Sequence, residues 1–170
     1  MANTYVLIEA QTLGSSAASV TLGSGGTIPQ IYTDLKLLFS VRHSGVSEIS
    51  NDVLISFNGS TANFTSRRYY GSGSTIGGDS NARTVGTTVG QTAGVNIFGN
   101  NELYIPNYTT SNYKSYSSDQ AGENNIVGAY LIVAAGLWSN TAAITSITLS
   151  PGAGSFVQHS TFYLYGIKKS

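Results

Sequence analysis

The sequence predicts an all-β domain, a sandwich or a barrel, from three observations. About ten short apolar or alternating segments are separated by turn residues, and no stretch of 10 or more residues repeats with the 3.6-residue period of a helix. The third is the final strand, Thr161 to Ile167, where Phe162 and Leu164 point one way and Tyr163, Tyr165 and Ile167 the other. A strand apolar on both faces needs cover on both sides. One cover is the domain's own second sheet; the other is a loop, a neighbouring subunit or a particle surface.

Tyr5 to Gln11 alternates Val6, Ile8 and Ala10 with Tyr5, Leu7 and Glu9, and a short strand follows at Val20 to Leu22 before Gly23-Ser24-Gly25-Gly26. Ile28-Pro29-Gln30 is extended, because the residue before a proline is pushed out of the helical region. Leu35, Leu37, Phe39 and Val41 share one face of the next strand, with Lys36, Leu38, Ser40 and Arg42 opposite. Val53, Ile55 and Phe57 lead into Asn58-Gly59, a pair that accepts the positive φ angles of a type I′ hairpin turn, and Phe64 lies on the returning strand.

From Gly71 to Gly94 only Ile76, Val85 and Val89 are large and apolar, so the region at about 71–94 reads as one long Gly/Ser/Thr-rich loop, ordered in part by a neighbouring subunit. Asn96 to Phe98 and Glu102 to Ile105 resume strand character and stop at Pro106. A Tyr/Asn/Ser region and the polar segment Ser117 to Asn125 precede a strand from Ile126 to Ala134; Ala134 to Trp138 has room for a helical turn. Ala142 to Leu149 and Thr161 to Ile167, separated by Ser150-Pro151-Gly152-Ala153-Gly154, read as a closing hairpin.

The 170 residues fit a single domain, 1–170, that needs no covalent staple, and the absence of cysteine removes thiol catalysis, zinc-thiolate sites and disulfides. Only 9% of residues are charged, and eight basic side chains balance eight acidic ones. Phosphate-backbone binding needs a basic excess on one face, so nucleic acid is not an expected partner. The apolar window Ile126 to Leu137 falls short of the ~20 residues that span a bilayer, so no membrane is expected either. Met1-Ala2-Asn3-Thr4 runs straight into a strand with no signal-peptide pattern, which predicts a protein made in the cytoplasm of its host cell that is soluble or carried within an assembly.

Catalytic and ligand-binding patterns are sparse. His43 and His159 read as ordinary hydrogen-bonded or surface residues, and no Gly-x-Ser-x-Gly elbow occurs. Glu9, Glu48, Asp52, Glu102 and Glu123 show no paired-carboxylate pattern. Gly71 to Gly78 lacks the Lys-Ser/Thr ending of a phosphate loop, and Asp119, Glu123, Asn124 and Asn125 fit no calcium-loop spacing. No catalytic residue, metal or cofactor is assigned. Tyr104, Tyr108, Tyr113, Tyr116 and Trp138 suit either a protein interface or stacking against sugar; with one Trp in the chain, interface is the favoured reading.

Met1-Ala2-Asn3-Thr4-Tyr5 with Ile8-Glu9-Ala10, Ile28-Pro29-Gln30-Ile31-Tyr32-Thr33-Asp34-Leu35, Phe57-Asn58-Gly59-Ser60, Ile105-Pro106-Asn107-Tyr108, Trp138-Ser139, Ile144-Thr145-Ser146-Ile147 and Ser160-Thr161-Phe162-Tyr163-Leu164-Tyr165-Gly166-Ile167, in that order, resemble small jelly-roll virion proteins of tailed bacteriophages of aquatic bacteria. The resemblance covers both ends of the chain and is weak from Gly71 to Gly94. It implies an antiparallel β-sandwich of jelly-roll type and a non-enzymatic structural protein of the virion. The implied role is a capsid decoration (cement) protein, a homo-oligomer with a trimer favoured, that binds the major capsid protein or other virion proteins. The alternative is a tail-fibre, tail-tip or spike module that binds host-surface glycans. The candidate contact residues are Tyr163, Tyr165 and Ile167 on the last strand and Tyr108, Tyr113 and Tyr116 in loops.

Overall fold

A computed structural model describes residues 4–23, 25–45, 50–125 and 129–168. Among these residues twelve strands make up the regular structure: β1 (Tyr5–Thr12), β2 (Val20–Leu22), β3 (Asp34–Val41), β4 (Ser50–Phe57), β5 (Phe64–Ser72), β6 (Thr75–Asp79), β7 (Thr84–Val89), β8 (Gly99–Ile105), β9 (Lys114–Glu123), β10 (Ala129–Trp138), β11 (Ile147–Pro151) and β12 (Thr161–Ile167). They form two antiparallel sheets, one of eight strands in the order β1-β12-β3-β8-β9-β10-β5-β6 and one of four in the order β2-β11-β4-β7. The all-β sandwich that the alternation predicts is the fold.

β3 has the alternation read from its sequence: Leu35, Leu37, Phe39 and Val41 are buried and the residues between them half-exposed. Its neighbours β12 and β8 repeat the pattern, and the inward side chains meet those of the small sheet, Val20, Leu22, Val53, Ile55, Phe57, Ile147 and Leu149, in one continuous core. Two aromatic groups fix the layers. Phe156 packs edge-on against Phe162, whose ring is stacked with that of Phe39. At the opposite end Phe57 of the small sheet sits among Phe64, Tyr116 and Trp138 of the large one, with centroid separations of 5.4, 6.0 and 5.5 Å.

Several local expectations change. β11 and β12 are not a hairpin: β11 pairs with β2 and β4, whereas β12 crosses to the large sheet and lies between β1 and β3. Asn58 and Gly59 do take the positive φ angles of a tight turn, 53° and 72°, closed by the Ser60 N–H on the Phe57 carbonyl. The strands on either side of that turn join different sheets, so it is a sheet-crossing corner. The segment 71–94 is not a loop; it contains the end of β5, all of β6 and all of β7. Every residue of β7 is buried, because Thr84 donates to Asp52 Oδ2 at 3.2 Å and Thr87 to Gln120 Oε1 at 3.0 Å, which satisfies its hydroxyls inside the sandwich.

Ser117 to Glu123 belongs to β9, and Ala134 to Trp138 is strand, not a helical turn. Residues 126–128, predicted to start a strand, lie outside the described residues. In β1 the register shifts between Leu7 and Glu9, a bulge that breaks the simple alternation. Past the bulge Glu9 turns inward, and its Oε2 accepts the Gly23 N–H at 2.7 Å.

Candidate contact surface

The outer face of the large sheet is open to solvent, since the small sheet covers only the inner one. Register fixes what meets on that face. One rung runs Leu7, Tyr165, Lys36, Tyr104, Ser117; the next runs Ala10, Tyr163, Leu38, Glu102, Asp119, Val133, Tyr69. At the β1 edge Tyr5 pairs with Ile167 and Leu7 with Tyr165, and both Tyr5 and Leu7 are about half exposed. Tyr5, Leu7, Tyr163, Tyr165 and Ile167 thus form one aromatic and aliphatic patch.

A polar band borders the patch. Lys36 Nζ lies 2.7 Å from Glu102 Oε1 and 5.8 Å from the centroid of the Tyr5 ring. The hydrogen bond to Glu102 raises the Lys36 pKa, so this cation stays charged. The Tyr104 hydroxyl donates to Asp34 Oδ2 at 2.8 Å, and this bond to the carboxylate raises the phenol's pKa.

Of the six predicted contact residues, Tyr163, Tyr165 and Ile167 lie side by side on this face, each partly buried by its neighbours. Tyr113 is exposed just ahead of β9. Tyr108 and Tyr116 are not surface residues. Tyr108 is 0% exposed, with its hydroxyl donating to the Pro29 carbonyl, and Tyr116 is 3% exposed on the inner side of β9. Each fills the core, where an aromatic ring gains more by burial than in a loop. Trp138 is also core, at 1%, so the tyrosines and tryptophan read as one loop set are divided between core, sheet face and loop.

A second exposed group escaped the sequence reading: Tyr69 on β5 with Leu131 and Val133 on β10. Its signal was present. Leu131 and Val133 alternate with the buried Ile132 and Ala134, so β10, like β12, is apolar on both faces.

Arg42, His43 and Lys114 serve the fold. Arg42 donates to the carbonyls of Gln91, Ala93, Gly94 and Ile97, fastening the turn after β7. His43 is buried and its Nδ1 accepts the Gly45 N–H at 3.0 Å. Lys114, 1% exposed, donates to the carbonyls of Thr110 and Asn112 at 2.6 and 2.5 Å. Among the described residues no group of three or more His, Cys, Asp or Glu is placed to hold a metal ion. Beside β7 lies a cleft lined by Asn51 and Asp52 of β4, Arg68 and Tyr70 of β5, Asp79 of β6 and Tyr130 of β10. No protein family matches the sequence, and no curated protein matches it.

Proposed function

We propose that this chain is a non-enzymatic structural protein of a bacteriophage virion, a decoration protein that binds the coat lattice and reinforces the head. The strand order supports a jelly-roll reading. Without the two inserted pairs β5-β6 and β9-β10, the sheets run β1-β12-β3-β8 and β2-β11-β4-β7, the nesting produced by folding eight strands as two Greek keys. The inserted pairs widen one sheet only, which enlarges its outer face.

The observation that carries the functional reading is the patch of Tyr5, Leu7, Tyr163, Tyr165 and Ile167 on a chain with 9% charged residues. Tyrosine at a half-buried position offers ring area for burial and a hydroxyl for the rim of an interface. Repeated over a symmetric shell, a modest gain per copy becomes a large one per particle. The test is occupancy: purified particles carry this chain in proportion to the coat protein, and Tyr165→Ala lowers that ratio without lowering the stability of the isolated chain. A few copies per particle, or unchanged occupancy in Tyr165→Ala, refutes the reading.

The second reading, a tail-fibre, tail-tip or spike module for host glycans, draws on the cleft beside β7, where Tyr70 and Tyr130 stand among Asn51, Asp52, Arg68 and Asp79. Low copy number with sugar binding lost in Tyr70→Ala favours it.

A further inference from the structure

We propose that a second copy of this chain packs face to face against β10, through the outer patch formed by β9, β10 and β5. This is distinct from the β1–β12 patch assigned to the coat and is tested on the isolated chain, so it does not rest on the virion reading. Leu131 is 66% exposed, Val133 57% and Tyr69 73%, and register places Val133 directly across from Tyr69. The charges beside them are arranged in a way that a lone chain does not favour. Glu102 and Asp119 are opposite each other across β8 and β9, and like charges so placed destabilise a sheet. Lys36 neutralises Glu102, whereas Asp119 forms no ion pair among the described residues; neither does Arg67.

Asp119 is opposite Val133 on one side of β10, and Arg67 is opposite Ala135 on the other. The two charges therefore flank β10 at about one strand spacing each, ~4.8 Å, one rung apart. A two-fold axis lying flat on the face and crossing β10 between Val133 and Ala135 brings Arg67 of each copy onto Asp119 of the other. The same operation buries the Leu131, Val133 and Tyr69 side chains of both copies against each other. The patch is complementary to itself, as an isologous interface requires, and each Arg67–Asp119 contact occurs twice. With a net charge of zero, two chains do not repel one another as they approach.

Sedimentation equilibrium of the purified chain at low salt is the test. The wild type gives a concentration-dependent dimer. Arg67→Glu or Asp119→Arg alone creates two like-charge contacts per dimer and weakens association on the order of 100-fold. The double variant Arg67→Glu/Asp119→Arg restores the original pairing with reversed sign and returns the dissociation constant to within about threefold of wild type. Both positions are exposed, so the circular dichroism spectrum stays that of the wild type and an unfolded variant is recognised as such. A monomer mass at every concentration overturns the proposal. A trimer, a dimer indifferent to both single reversals, or a double variant no better than the singles overturns it equally.

Discussion

The Tyr116 ring on β9 lies over Gly136 on β10, occupying the space where a β-carbon at that position would stand. The two residues are opposite each other in register, so the ring covers a strand position that has no side chain of its own. Beyond the ring, Phe57 meets Tyr116 edge-on, at 88° between planes. A methyl group at 136 therefore has no free volume to enter, and moving Tyr116 disturbs the inter-sheet aromatic group. Gly136→Ala is expected to destabilise the fold by about 1–3 kcal/mol, the range for overpacking a filled core. Urea unfolding measures it; a loss below about 0.5 kcal/mol means that the ring has somewhere else to go.

The Tyr116 hydroxyl, buried without a hydrogen-bond partner among the described residues, makes Tyr116→Phe a different case from Gly136→Ala. Removing an unsatisfied buried polar atom leaves stability equal to wild type or higher by up to about 1 kcal/mol. Burial raises the Tyr116 pKa above its ordinary value, and burial raises that of Tyr108 as well. Since the folded values exceed the unfolded one, the folded chain holds these protons longer. Stability is complete below the unfolded tyrosine pKa of about 10 and is lost as pH rises beyond it. Tyr116→Phe should flatten that alkaline loss; equal slopes above pH ~10 in the two proteins contradict the assignment.

These tyrosines also mark the limit of what was legible in the sequence. β3 could be read because Leu35, Leu37, Phe39 and Val41 alternate strictly, and the outward position of Tyr163, Tyr165 and Ile167 followed from the same two-residue period. Tyr108 and Tyr116 sit among Asn, Ser and Thr, so local polarity suggested loops, while their burial depends on Pro29 and Phe57, distant in sequence. β7 was hidden for the same reason. Its threonines are buried by virtue of Asp52 and Gln120, partners that no hydrophobic pattern reveals. Turn chemistry gave the φ angles of Asn58-Gly59 correctly but not the sheet each flank would join, because a two-residue turn fixes local direction and nothing beyond it.

Lys114 is expected to matter more than its charge class suggests. Its ammonium is the donor for the Thr110 and Asn112 carbonyls and reaches that of Thr141 at 3.5 Å, closing the segment between β8 and β9 onto the one between β10 and β11. Lys114→Met keeps the aliphatic stem but leaves those carbonyls without their donor, at a cost of about 2–3 kcal/mol. Lys36→Met on the open face removes only a partly exposed ion pair and costs less than about 1 kcal/mol. Burial lowers the Lys114 pKa, so the unfolded chain binds more protons in the window just below about 10.4, and stability rises with pH there. A denaturation series in which both variants lose the same amount rejects the distinction.

Arg68 joins the two sheets where the aromatic core gives way to polar groups. Its Nε and Nη2 hold both oxygens of Asp79, at 2.7 and 3.0 Å, and Nη1 donates to Asp52 on β4 of the small sheet. Asp52 is also held by Asn81 at 2.7 Å and by Thr84. A planar fork contacting two carboxylates cannot be replaced by a single ammonium, so Arg68→Lys and Arg68→Met should both destabilise, the latter by about 2 kcal/mol. Hydrogen bonding to Arg68 holds the Asp79 carboxyl below its ordinary range. The stability this contributes is present above the unfolded Asp pKa of about 3.9 and is lost as pH falls through the folded value. Asp79 is 42% exposed, so solvent screening keeps its share small and Asp79→Asn should cost under about 1 kcal/mol. The Asp52 contact, at 22% exposure and linking separate sheets, should dominate. A double-mutant cycle between Arg68→Met and Asp52→Asn measures it directly; a coupling no greater than that of the Arg68–Asp79 cycle assigns the link to β6 instead of β4.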